Sequence, residues 1–243
     1  MVPTPSAEDG DVLIVTRYSR VAGVAMLLSI VFGILGEMVL PGKIVVGGDA
    51  GATAANILAQ STLFRLSFAA YLVEGICDVA LCVFFYILLE PVDRHLALLS
   101  AFFGIASMAI YAVAQSSFFA ASLILGDSAG MGAFTSDQRN ALAYLAIRIS
   151  GTIAWLFLCL YGTASMTRGY LIARSTYLPR VLGVLLVIGG ACFFLRSATY
   201  VLAPKYSSPL LLVPMALAGI TMMGWLLFRG IDPARVRARG WAP

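Results

Sequence analysis

The sequence predicts an all-α, polytopic membrane protein: a bundle of about six transmembrane helices with both termini cytoplasmic. Three observations predict it. Hydrophobic residues make up 60% of the chain and charged ones only 12%, with a mean hydropathy of +0.93, far more apolar than a globular domain. About six apolar runs each reach the roughly 20 residues that a helix needs to cross a bilayer. Between them the arginines gather in alternate connections, the asymmetry that sets orientation.

Taken in order, residues 1–16 form a short acidic leader with Glu8, Asp9 and Asp11. It lacks the basic start and cleavage site of a signal peptide and is expected to fray. A single transmembrane domain is expected over 17–231, followed by a basic tail over 232–243 that carries Arg235, Arg237 and Arg239 and touches anionic headgroups. The first span, 21–40, follows Arg17 and Arg20 and stops at Pro41-Gly42. Glu37 falls in its last turn, as a solvated acid or as part of a polar site. Asp49 is expected to cap a short helix over 52–59, interfacial or packed on the mouth of the bundle.

The second span, 63–89, has Arg65 in its first turn and ends at Glu90-Pro91. A tight polar connection with Arg94 and His95 returns the chain into a third span, 96–125, which holds Tyr111 and Gln115. Thr135-x-x-Gln138 is a capping-box pattern, opening a fourth span expected over 141–166 with Arg148 inside it. A basic loop with Arg168, Arg174 and Arg180 should follow, broken by Pro179. The fifth span, 181–202, contains Gly189-Gly190 and Arg196, and the sixth, 210–228, starts after Pro209. Most extramembrane arginines then share one face, which the positive-inside rule makes cytoplasmic, with the chain in the cell's inner (plasma) membrane.

Glu74 and Asp78 stand out. Their four-residue spacing puts two carboxylates one helical turn apart on one face, at a depth where an ionisable group must be paired, protonated or facing a watery cavity. At about 1.5 Å of rise per residue, Glu74 lies roughly 15 Å inside the outer edge, and Arg148 and Arg196 roughly 10 Å. Arg65 and Gln115 also fall in the outer half. The expected arrangement is one outward-opening polar cluster of Glu74, Asp78, Arg65, Arg148, Arg196, Gln115 and Glu37. Two readings of it stand. The charges are interhelical struts that fix packing, or they line a cavity that binds a small polar molecule or relays protons through Asp78 and Tyr111.

Several chemistries lack their residues. The single histidine, His95, and both lysines, Lys43 and Lys205, lie in loops, which removes bis-histidine haem ligation, multi-histidine metal sites and a buried Schiff-base lysine. No Cys pair has C-x-x-C spacing, and Cys77, Cys82, Cys159 and Cys192 all sit in apolar runs, so they read as small apolar residues. No cofactor is expected. The net charge of +4 reflects topology and headgroup contacts, not nucleic-acid binding. Partners reduce to the lipid bilayer, a small-molecule or lipid ligand, and a second copy of the chain, with monomer and homodimer both open.

The stretches Gly48-Asp49-Ala50, Asn56-Ile57-Leu58, Leu63-Phe64-Arg65, Asp78-Val79-Ala80-Leu81, Pro91-Val92-Asp93-Arg94, residues 98–103 and Gly169-Tyr170-Leu171 carry a family resemblance. Tyr177-Leu178-Pro179-Arg180-Val181-Leu182-Gly183 carries it most specifically. With these residues the chain resembles the bacterial membrane proteins grouped as domain of unknown function 4386, over about residues 20–231. The resemblance implies an all-helical multi-pass protein and no established activity. Where such proteins often have a histidine near the end of the fourth span and a glutamate in the last, this chain has Ala164 and Gly219.

Three functions follow as expectations. The first is a carrier or sensor binding a small polar molecule or lipid. The second is a structural or accessory subunit whose charged cluster is packing glue. The third, an intramembrane enzyme acting on a lipid or quinone, lacks a nucleophile or metal beside its carboxylates.

Overall fold

A computed structural model describes residues 7–126 and 130–231, with side-chain surroundings from Arg17 onward. The tail arginines Arg235, Arg237 and Arg239 lie outside the described residues. The described chain is helical throughout: α1 (Ala7–Gly33), a π-helical segment (Ile34–Val39), α2 (Leu40–Ile44), α3 (Ala50–Ala59), α4 (Ser61–Leu89), α5 (Arg94–Leu125), α6 (Ser136–Arg174), α7 (Arg180–Leu202) and α8 (Val213–Phe228). Six segments are long and apolar enough to cross a membrane: Arg17–Ile44, Ser61–Leu89, Arg94–Leu125, Ser136–Arg174, Arg180–Leu202 and Pro209–Phe228.

Two elements depart from expectation. α1 begins at Ala7, inside the stretch expected to fray, because no proline interrupts the chain between Pro5 and Pro41. α6 runs 39 residues to Arg174 and absorbs the expected basic loop. The first true breaker after it is Pro179, which stands at the N-cap of α7. Arg168 is therefore a helical residue, and it is buried.

Local caps follow the sequence. Asp49 Oδ1 accepts from the Ala52 N–H at 2.8 Å, and Asp93 Oδ1 from the Leu96 N–H at 3.0 Å. Thr135 and Gln138 close a reciprocal capping box, with the Thr135 N–H on Gln138 Oε1 at 2.9 Å and the Gln138 N–H on Thr135 Oγ1 at 3.3 Å. The four cysteines are free.

The chain divides into two compact units. The first comprises Met1–Leu27, Cys77–Ser107 and Leu158–Pro243. Its core gathers Phe85, Leu88, Leu89, Leu171, Ile172, Leu186, Met222 and Leu226. Here α6 and α7 meet on glycines spaced seven apart, so that the same face returns after two turns. A Cβ on Gly162 would lie 2.6 Å from the Gly190 carbonyl oxygen, and one on Gly169 would lie 2.6 Å from that of Gly183. Close backbone approach through small residues is how helices associate without a hydrophobic driving force between them. Gly189 meets Met215 of α8 in the same way, so Gly189-Gly190 serves packing within an unbroken helix. The Tyr177 hydroxyl donates to the Leu88 carbonyl, one of the last four of α4, which no intrahelical N–H reaches.

The second unit comprises Leu28–Ile76 and Met108–Phe157. Ile44, Ile57, Phe64, Phe118, Ala121, Leu125 and Ala143 form one core, with Phe64 stacked on Phe118 at 4.8 Å. α3 packs on this core through Thr53, Ala54 and Ile57. Its entry loop is tied down by Asn56 Nδ2 donating to the Ile44 carbonyl at 3.0 Å and by the Gly48 N–H donating to the Tyr144 hydroxyl at 2.7 Å.

Candidate functional site

The polar centre of the second unit is built on an irregularity in its first helix. Over Ile34–Val39 the helix widens, and the Leu40 N–H bonds the Leu35 carbonyl five residues back. Such π-bulges insert one residue into a helix and often mark functional sites. This one carries Glu37. Gly36 lets the widened turn lie against α4, where a Cβ would come within 3.0 Å of the Ser67 carbonyl oxygen. Gly33, at the entrance to the bulge, makes room for Glu74: a Cβ there would stand 2.7 Å from Glu74 Oε1.

Tyr111 of α5 completes the centre. Its hydroxyl donates to Glu37 Oε1 and accepts from Gln115 Nε2 at 2.7 Å, one turn along the same helix. The ring is 4% exposed, stacked on Phe157 at 4.5 Å and edge-on to Tyr71 at 5.0 Å. Tyr71 is also buried, and its ring lies along the space left by Gly75, 4.0 Å from where a Cβ would be. The carboxylates of Glu37 and Glu74 both act electrostatically on the two phenols. Two acids, two phenols and a carboxamide thus converge, with Tyr111 as the hydrogen-bonded link.

The expected residues distribute as follows. Glu37, Glu74 and Gln115 belong to this centre. Arg65 and Arg148, in the same unit, are exposed and hold no ion pair among the described residues. Asp78 belongs to the first unit and is buried. So does Arg196, which is half-buried and reaches from Nη1 to the Ser208 carbonyl at 3.4 Å. Tyr111, expected alongside Asp78 in a proton path, gives its hydroxyl to Glu37.

The sequence reading missed Tyr71, the bulge that presents Glu37, and Arg168. In the first unit Arg168 Nη2 lies 4.0 Å from Cys82 Sγ, and its guanidinium carbon stands 4.6 Å from the centre of the Phe85 ring. A signal was present: Gly169-Tyr170-Leu171-Ile172 continues the apolar pattern past Arg168, with no proline until Pro179.

Six membrane-length apolar helices and an intramembrane carboxylate–tyrosine centre define the class by length and composition: a multi-pass helical membrane protein. The chain belongs to the family described as Domain of unknown function (DUF4386), whose pattern matches residues 21–230. No curated protein and no solved structure matches it.

Proposed function

We propose that this protein is a carrier or sensor of the inner membrane, with both termini cytoplasmic, whose second unit binds a small molecule rich in hydrogen-bond donors or positive charge. One observation carries the reading: the buried Tyr111 hydroxyl links the Glu37 carboxylate to Gln115, on a helix locally widened to present that acid. Two carboxylates and a phenol oxygen make an acceptor-rich centre, and polar groups placed inside a membrane mark ligand or ion pathways by default. The positions of Arg65 and Arg148 support it as well. Arg65, in the first turns of α4, reaches toward headgroups, and neither arginine serves as an interhelical strut by pairing with an acid.

The orientation rests on the arginines. Arg17 and Arg20, Arg94, Arg174 and Arg180, and Arg229 flank alternate ends of the six spans, against Lys43, Arg139 and Lys205 at the opposite ends. On this topology the carboxylate–tyrosine centre lies in the outer half. A thermal-shift titration of the detergent-purified protein from about pH 4 to 9, with mass spectrometry for co-purifying small molecules, tests the reading. A transition or bound species lost in Tyr111→Phe and Glu37→Gln supports it. A flat profile with no bound species sinks it in favour of a structural subunit.

A further inference from the structure

Arg168 is the most enclosed cation among the described residues, with 5% of its surface exposed. A guanidinium carries five N–H donors, and an arginine buried this far is ordinarily met by a carboxylate. Here no described carboxylate lies within ion-pair reach. Its side-chain partners are the Cys82 sulfur, 4.0 Å from Nη2, and the face of Phe85. Nε is enclosed and has no acceptor.

The geometry of those two contacts matters. An aromatic ring offers no lone pair, so the contact with Phe85 leaves the guanidinium's N–H donors to another partner. A thiol is a weak acceptor, so the Cys82 contact leaves most of that edge unspent. Gly104 of α5 shapes the opposite wall: a Cβ there would lie 2.5 Å from Cys82 Sγ and 3.6 Å from Arg168 Nη2. Asp78, one turn before Cys82 on α4, acts electrostatically on the same thiol without forming an ion pair to Arg168, whose fork of N–H donors it therefore does not fill.

Depth narrows the ligand. The 39 residues of α6 span about 58 Å against a hydrocarbon core of roughly 30 Å. Arg168 lies six residues before the helix end at Arg174. With α6 centred in the bilayer, that is about 20 Å from the midplane, where headgroups begin. A planar fork of N–H donors at that height suits a phosphate or carboxylate bound in two-point fashion.

We propose that Arg168 is an oxyanion subsite, taking the phosphate or carboxylate head of an amphiphile or the corresponding free anion. It does not rest on the carboxylate–tyrosine centre. The full-length protein in uncharged detergent is titrated with dodecyl phosphate, dodecanoate and inorganic phosphate, reading Tm. Four proteins are compared: the parent, Arg168→Lys, Arg168→Gln, and Arg174→Gln as a control at an exposed arginine stacked on Tyr170. The parent and Arg174→Gln should show a saturable rise in Tm with at least one of the three. Arg168→Lys keeps the charge and loses the fork, so its midpoint should move about tenfold or more. Arg168→Gln should show no rise. Inorganic phosphate acting at the amphiphile's midpoint would assign the subsite to a free anion, and its inactivity would assign it to a lipid head. Equal midpoints in the parent and Arg168→Lys, or no saturable rise with any of the three in the parent, would overturn the proposal.

Discussion

The hydroxyl of Tyr111 joins α5 to the widened turn of the first span by donating to Glu37, while Gln115 donates to it in turn. One buried phenol oxygen therefore serves as donor and acceptor within a membrane-spanning segment. Removing it takes one hydrogen-bond partner from the exposed Glu37 carboxylate and one from the half-buried Gln115 carboxamide.

Tyr111→Phe keeps the rings against Tyr71 and Phe157 and deletes only the link. It should destabilise the protein by about 0.5–1.5 kcal/mol, the net contribution of a typical hydrogen bond. Thermal unfolding in detergent checks this. A drop in Tm of several degrees is expected, and an unchanged Tm would mean that the link contributes no net stability.

Gly33→Ala separates function from stability. Its methyl group would stand 2.7 Å from Glu74 Oε1, the end of a flexible side chain that can swing away. The expected outcome is a small change in Tm with loss of any ligand- or pH-dependent shift, because the carboxylate is displaced. Gly42→Ala, where a Cβ meets nothing within 4 Å, is the matched control and should keep that shift.

Gly183→Ala tests the seam between α6 and α7. Its Cβ would fall 2.5 Å from the Ala173 backbone nitrogen, and backbone cannot rotate aside. Overpacking of this kind costs about 1–3 kcal/mol, occasionally more. Gly224→Ala, in open space, should be neutral in the same unfolding measurement.

Tyr177→Phe should loosen the connection between α6 and α7, since the Tyr177 hydroxyl satisfies an end carbonyl of α4. Limited proteolysis at residues 175–179 reports it. Faster cleavage with a stability loss of about 1 kcal/mol is the expected result, and identical cleavage rates would show that packing alone holds the linker.

Much of the fold was legible because its signals are local. Apolar runs located six spans, and Asp49, Thr135 and Gln138 cap helices through partners within three residues. Arg168 was not legible as a buried residue. Three arginines in 168–180 look like a loop and outweigh the apolar pattern that continues past Arg168, whereas the helix runs on to Arg174 and packs on α7 through the glycine seam. The site was legible in part. Glu74 announced itself by its depth, whereas the partnership of Glu37 with Tyr111 spans 74 positions and depends on a π-bulge that no local pattern specifies. The charges of Arg65 and Arg148 suggested neutralising partners for the acids, but the hydropathy of a span does not say which side of its helix faces outward.

The central claim is that Glu37, Tyr111 and Glu74 form a working polar centre. Its most direct test is the Tm profile of the purified protein from about pH 4 to 9, alongside Tyr111→Phe, Glu37→Gln and Glu74→Gln, with bound small molecules weighed in each. The account predicts a transition or a bound species in the parent that the variants lose while remaining folded. The same profile in all four proteins, differing only by a uniform loss of stability, would contradict it.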